Sequence, residues 1–218
     1  MKTMITRHRG LVLAMLVCLM LLPYSAAKAQ DLTAFRKDSV ARCMDYSFMH
    51  DYVMALRRQK PVPMKEYRQV SDKFVLIACF YRLMKYSEQT AVRFDSVARK
   101  VRPAELLRLN LPLSAVRKTQ LEYLAAVDNN DVAVMTRCAK ALAMTKMPAD
   151  NMCDPLIYGF CLLHTIESGS LSQSKQFVAW LKSMKPKIKD PQVATQVTSA
   201  INDGEGYIML KEYEASHQ

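Results

Sequence analysis

The stretch DPLIYGFCLLHTIESGSLSQSKQFVAWLKSMKP, residues Asp154–Pro186, decides the fold class. It begins with an aspartate followed by a proline, which predicts a capping residue and the first turn of a helix. Gly169-Ser170 interrupts the first apolar run, and Phe177 and Leu181 then return at helical spacing. The stretch therefore predicts two antiparallel helices joined by a short turn.

Prolines that close such helical stretches recur at nearly constant intervals along the chain. They are Pro61, Pro103, Pro148 and Pro186, separated by 42, 45 and 38 residues. Helix-forming residues dominate, and no Asn-Gly or Asp-Gly turn separates two alternating runs, so strands are not expected. The regular interval is typical of helical hairpins that bury their apolar faces by stacking on one another. We therefore expect an all-α fold of stacked antiparallel helical hairpins.

Apolar spacing also predicts helices on both sides of this stretch. Before it, we expect helices at about residues 31–59, 64–85, 91–101, 114–127 and 131–145, with a short helical turn after Pro103. Ser114 is expected to be the N-cap of the helix over 114–127. After it, Asp190-Pro191 repeats the aspartate-proline start. The last helix either stops at Asp203-Gly204 or continues to Leu210, and the sequence leaves both alternatives open.

The first 29 residues have the layout of a secretory signal peptide. A basic start precedes the apolar run Leu11–Leu22, and Ala27-Lys28-Ala29 matches an A-x-A cleavage site. The run of 12 residues is shorter than the roughly 20 that span a bilayer as a helix. An uncleaved anchor, or a lipoprotein acylated at Cys18, is the alternative. We expect cleavage to leave residues 30–218 as one helical-repeat domain without a stable membrane span, exported to the periplasm or the exterior.

The charge of the cleaved chain is moderately basic. The leader holds four of the 31 Lys and Arg and none of the 20 Asp and Glu, so the net charge afterwards is 27 − 20 = +7. Such a charge in a cytosolic protein would suggest nucleic-acid binding. Here the basic residues are scattered and the leader directs export, so solvated helix faces explain them and no nucleic-acid partner is expected.

Five cysteines remain after cleavage, and an odd number argues against a complete set of disulfides. They are Cys43, Cys79, Cys138, Cys153 and Cys161. A single bridge such as Cys138–Cys153 stays open. Cys161 and His164 stand three residues apart on one helix, as a nucleophile with its base or two metal ligands would. No second Cys/His cluster accompanies them, so we expect packed helix residues and no catalytic residue, metal or cofactor. A helical enzyme using Cys161 and His164 is the alternative.

The same residues resemble the tetratricopeptide repeat family. The clearest unit runs from Tyr158 through Gly169 at the turn to Pro186, with Leu171, Ser174, Val178 and Leu181 at the family's spacing. Further matching positions are Ala91-Val92, Ala98, Val101, Pro103, Lys140-Ala141-Leu142, Gly204, Tyr207, Leu210 and Tyr213. The similarity covers roughly residues 66–216. The chain departs from the family in its interval of about 40 rather than 34 residues, and in Glu122 and Leu162 at normally small positions.

The resemblance implies a function in binding rather than catalysis. The first helix of each tetratricopeptide hairpin lines a concave groove, which here implies partner-binding roles for Thr119, Tyr123, Leu163 and Glu167. We therefore expect an exported scaffold that binds a protein or peptide partner in the cell envelope. Two alternatives stay open: the extracytoplasmic sensory part of a longer signalling protein, and a structural protein that self-associates near Gln218, where a return helix looks unfinished.

Overall fold

The computed structural model describes residues 32–85, 96–148 and 151–217, and every regular element in these ranges is a helix. The helices are α1 (Leu32–Asp38), α2 (Tyr46–Arg58), α3 (Met64–Met84), α4 (Pro103–Arg108), α5 (Ala115–Asp128), α6 (Val132–Ala143), α7 (Cys153–Ser168), α8 (Leu171–Met184) and α9 (Pro191–Ser216). A helical stretch at 96–100 precedes α4, and a 3-10 turn, Lys185–Lys187, follows α8. The all-α prediction is confirmed. The predicted signal peptide with Cys18, and residues 91–95 of the third predicted helix, lie outside the described residues.

The four spaced prolines each follow the end of a helix. Pro61 comes after α2, Pro103 after the stretch at 96–100, Pro148 after α6, and Pro186 lies in the 3-10 turn after α8. Pro103 is also the first residue of α4, where its missing N–H leaves no hydrogen bond unmade. The prolines therefore mark the positions at which helices stop, as the sequence predicts.

The helix predicted over residues 31–59 is wrong as a single element, because the structure divides it into α1 and α2. Turns separate the two helices, and Asp45 caps α2 by accepting the Phe48 N–H at 3.0 Å through Oδ1. The extended backbone of Asp45 (φ −88°, ψ 106°) is typical of an N-cap and incompatible with the interior of a helix. The break lets Phe35 of α1 stack on Tyr52 of α2, with ring centroids 5.1 Å apart. Periodicity alone hides the break because the apolar spacing continues across it.

Helix α9 runs without interruption through Asp203-Gly204, so the structure selects the longer of the two alternatives and extends it beyond Leu210. Gly204 serves packing rather than a turn. A Cβ at this position would lie 2.7 Å from Ile166 Cδ1 on α7 and 3.2 Å from Val178 Cγ2 on α8. The glycine therefore allows α9 to approach both helices closely.

Helix α7 lies at the centre of the molecule. It packs against α3, α6, α8 and α9. Buried residues from all nine helices form one apolar core that extends from Leu32 to Ile208. This central position explains why α7 is apolar on nearly all sides, since each side contacts a different helix.

Candidate functional site

The pair Cys161 and His164 does not have the surroundings of an activated thiol. Cys161 is fully buried, and burial raises the pKa of its thiol well above the ordinary range. Burial also lowers the pKa of His164, whose ring stacks on Phe160 with centroids 4.8 Å apart and lies 3.8 Å from a carboxylate oxygen of Glu167. Nucleophilic catalysis requires a thiolate, and the environment of Cys161 favours the protonated thiol.

The remaining cysteines are free thiols as well. None of the five forms a disulfide in the described part of the chain, so the Cys138–Cys153 bridge is not formed here. Burial raises the pKa of Cys79 to about 12. Within the described ranges, no group of three or more His, Cys, Asp or Glu side chains is arranged to hold a metal ion.

The four residues that the repeat resemblance assigns to a partner-binding groove lie in different environments. Tyr123 is completely buried, and its hydroxyl is hydrogen-bonded to Thr165 Oγ1 at 3.0 Å, which joins α5 to α7. In this structure Tyr123 is therefore a packing residue and offers no surface to a partner. Thr119 and Leu163 are half-buried and Glu167 is exposed.

Leu163 and Glu167 belong to a partly exposed stripe on α7. Residues spaced by three and four on a helix share one face, and the residues of this face are Phe160, Leu163, His164 and Glu167. The Phe160 ring lies 6.3 Å from the ring of Tyr123, so the stripe borders α5. Thr119 stands one turn before Tyr123 on that helix. We refer to Thr119, Phe160, Leu163, His164 and Glu167 as the α5–α7 stripe.

A cluster of charged and polar side chains lies buried between α5 and the start of α7. Arg117 donates hydrogen bonds to both carboxylate oxygens of Asp154, from Nη1 to Oδ1 and from Nη2 to Oδ2, the latter at 2.8 Å. Gln120 Nε2 and Asn151 Nδ2 each donate to the same carboxylate at 2.7 Å. Asp154 is 0% exposed and Arg117 6%. These four residues form the Arg117–Asp154 cluster.

The surroundings of Asp154 keep its carboxylate ionised. Burial is the largest single influence and raises the pKa of Asp154, whereas the hydrogen bonds and charge of Arg117 lower it. With further hydrogen bonds from Gln120 and Asn151, the pKa lies below the ordinary range. Because the carboxylate is enclosed and fully hydrogen-bonded by protein groups, the cluster joins two helices rather than presenting a charge to a ligand.

Sequence reasoning missed this cluster and treated Asp154 as the residue that caps α7. In the structure Asn151 has that role, since its Oδ1 accepts the N–H groups of Cys153 and Asp154 at 3.0 and 2.8 Å. The Asp154 carboxylate is thereby free to bind Arg117. One signal was available: Arg117 stands four and seven residues before Leu121 and Leu124, on the apolar face of α5.

A depression of about 770 Å³ lies between α1, α2 and α3. Two acidic residues of the described part of the chain line it: Glu66 accepts two hydrogen bonds from Arg36 and one from the Tyr52 hydroxyl, all at 2.7 Å, and Asp72 Oδ1 accepts the Ser114 N–H at 2.8 Å. Hydrogen bonds to Arg36 hold the pKa of Glu66 below its ordinary range. The depression is therefore lined by carboxylates that already have hydrogen-bond partners.

A second depression, of about 500 Å³, lies between the end of α6 and the start of α9. Its charged lining residues are Lys146, Lys187, Lys189 and Asp190. We refer to this depression as the lysine pocket. It shares no residue with the α5–α7 stripe, so the two surfaces can be altered independently.

Comparisons with known proteins identify no relative. No protein family, curated protein or solved structure matches the chain. No helix in the described ranges combines the length and apolar character needed to cross a membrane.

Proposed function

We propose that this protein is an exported helical-repeat scaffold that binds a protein or peptide partner in the cell envelope, in the periplasm or outside the cell. In this proposal α5–α9 stack as hairpins of a tetratricopeptide-like solenoid. The packing order supports the stack: each of these helices packs on the next, and α7 also packs directly on α9. Such an arrangement places α5 and α7 on one side, and α6 and α8 on the other.

The observation that carries the proposal is the α5–α7 stripe. Phe160 and Leu163 keep part of their surface exposed although α7 packs against α3, α6, α8 and α9 and also contacts α5. On α7 the polar Glu167 lies one turn after Leu163, and on α5 the polar Thr119 lies one turn before Tyr123, whose ring is next to Phe160. An apolar centre with a polar rim is the usual composition of a protein–protein interface. Because a common core already fixes these helices, binding a partner would cost little conformational entropy of the protein.

The test introduces a photo-crosslinking amino acid at Leu163 or Glu167 in the protein expressed in its native host. Both positions should capture the same envelope protein, identified by mass spectrometry. Ala133 on α6 and Ala179 on α8 are exposed positions on the opposite side of the proposed stack and serve as controls. Equal capture at all four positions, or capture at none, would contradict the proposal.

Self-association is a second candidate, favoured by apolar side chains near the end of α9. Met209, Leu210 and Tyr213 are 69%, 54% and 62% exposed. Burying them against a second copy would remove apolar surface from water. Light scattering over a range of concentrations should then show a dimer that Tyr213→Glu converts to a monomer. A wild-type monomer at all concentrations would exclude this candidate.

A further inference from the structure

We propose that the lysine pocket is a second binding site, which takes a short acidic peptide segment containing an apolar side chain. The carboxylates of the peptide contact Lys146, Lys187 and Lys189, and the apolar side chain lies on the floor of the pocket. The site goes beyond the proposed function, and it stands whether or not the α5–α7 stripe binds a partner.

The charge of the pocket is positive and uncompensated. Of the residues that the structure describes, three lysines and one aspartate line it, a net charge of 3 − 1 = +2. Among the described residues, lysine ion pairs involve Lys175 and Lys182 but none of the three pocket lysines. Lys187 Nζ lies 3.9 Å from Met184 Sδ, but a thioether is a weak acceptor and does not neutralise the ammonium charge. The ammonium groups can therefore bind an incoming carboxylate, and clustered positive charge in a cleft attracts anionic ligands from solution.

Asp190 forms no ion pair with these lysines in the described structure, because its carboxylate oxygens accept backbone N–H groups instead. Oδ1 accepts the N–H groups of Gln192 and Val193 at 2.9 and 3.1 Å, and Oδ2 accepts the Met147 N–H at 3.1 Å. The N–H groups at the start of α9 are thus already bonded to Asp190. A phosphate would normally use such N–H groups at a helix N-terminus. Their occupation favours a carboxylate ligand over a phosphate.

The pocket also has an apolar floor. Exposed Met144 and Pro191 and the half-buried Ile188 supply its accessible apolar surface, beneath which Ala143 and Val193 are buried. The volume of about 500 Å³ falls within the range of roughly 300–1,000 Å³ that is usual for ligand sites. A concave site of this kind accepts an inserted side chain, whereas a membrane surface would require a protruding apolar face.

The walls of the pocket are fixed before any ligand binds. The hydrogen bond from the Met147 N–H to Asp190 connects the segment after α6 to the start of α9. On the other wall, the Ile188 N–H donates to the carbonyl of Lys185 at 3.2 Å. Because these bonds already order the backbone, a ligand loses little affinity to ordering the site.

The test measures fluorescence anisotropy of the labelled peptide EELEE with the purified protein at low salt. EESEE, which lacks the apolar residue, and KKLKK, which reverses the charge, are the comparison peptides. EELEE should bind most tightly and KKLKK not measurably. The triple substitution K146Q/K187Q/K189Q should weaken EELEE binding about tenfold or more, since it removes the positive charges that attract the peptide.

The matched control is K37Q/K65Q/K118Q, which removes the same charge at three exposed lysines outside the pocket. It should change EELEE binding less than twofold, and circular dichroism should show that both triple variants remain folded. Equal weakening by the two triples would reveal unspecific attraction and overturn the proposal. The protein could instead bind phosphatidylglycerol vesicles more tightly than EELEE and lose that binding only in K146Q/K187Q/K189Q. That result would overturn the peptide proposal in favour of a lipid headgroup. Both readouts are independent of the crosslinking at the α5–α7 stripe.

Discussion

The Arg117–Asp154 cluster should make a large and mutually dependent contribution to stability. Asp154→Asn keeps the shape of the side chain but leaves the buried Arg117 charge without its counterion. Arg117→Met leaves the ionised Asp154 with hydrogen bonds from Gln120 and Asn151 alone. Removing one member of a buried ion pair typically costs about 3–5 kcal/mol, because the remaining charge stays out of water. We expect each single variant to lose about this much in free energy of unfolding.

The decisive quantity is the coupling between the two substitutions. The double variant removes both charges, so it should lose less than the sum of the single losses by about 2 kcal/mol or more. Urea unfolding followed by circular dichroism at pH 7 gives the four free energies. Glu105→Gln, in the exposed ion pair with Arg102, is the control and should cost at most about 1 kcal/mol. If each single variant loses less than about 1 kcal/mol in free energy of unfolding, and the double variant loses the sum of the two, the ion pair does not stabilise the fold as argued.

The same cluster should give the protein a specific acid sensitivity. Since the pKa of Asp154 in the folded state lies below its ordinary value of about 3.9, the ionised carboxylate stabilises the folded state above that pH. This stabilisation is lost as the pH falls through the folded-state pKa. The difference in unfolding free energy between the wild type and Asp154→Asn should therefore be constant from pH 7 to 5 and shrink below about pH 4. If the difference in unfolding free energy between the wild type and Asp154→Asn is the same at pH 3 as at pH 7, Asp154 is not ionised in the folded protein.

Three further predictions concern α9, an unpaired hydroxyl and the thiols. Gly206→Ala should raise the free energy of unfolding by about 0.5–1 kcal/mol, because the added Cβ meets no atom within 4 Å. Gly204→Ala should not stabilise the protein, because its Cβ would lie too close to Ile166 and Val178. Urea curves of the two variants give the comparison. Tyr158→Phe should stabilise by about 1 kcal/mol, since the buried hydroxyl has no hydrogen-bond partner in the described structure, and its Tm should rise. Pulsed thiol labelling with mass spectrometry should modify the half-buried Cys43 in the native protein but Cys161 only after unfolding. Rapid labelling of Cys161 in the native protein would instead support the enzyme alternative.

Much of the helical framework could be predicted because its signals are local. The predicted helix over 64–85 corresponds to α3 at Met64–Met84, and Ser114 caps α5 as expected, accepting the Arg117 N–H at 3.4 Å. Asp190 likewise caps α9. A cap and the N–H groups that it accepts lie within three residues of each other, so neighbouring sequence is sufficient to identify it.

The candidate sites were predicted less well because their residues meet across long separations. Tyr123 could be placed on a helix face, but only the contact with Thr165 on α7 shows that this face is buried. The lysine pocket joins Lys146 to Lys187 and Lys189 from separate parts of the chain. Spacing along one helix carries no information about which other helix covers a given face.

The sequence by itself determined that this protein is helical, where many of its helices begin and end, and that Phe177 and Leu181 share one face of α8, where both are buried. These features follow from backbone hydrogen bonds and apolar spacing within a few residues. Tertiary structure alone decided that the Asp154 carboxylate binds Arg117, 37 residues away, instead of capping its own helix. Two competing uses of one carboxylate are both compatible with the local sequence. Burial between α5 and α7 selects the ion pair, because a buried arginine without a counterion would destabilise the fold far more than the transfer of a cap to Asn151.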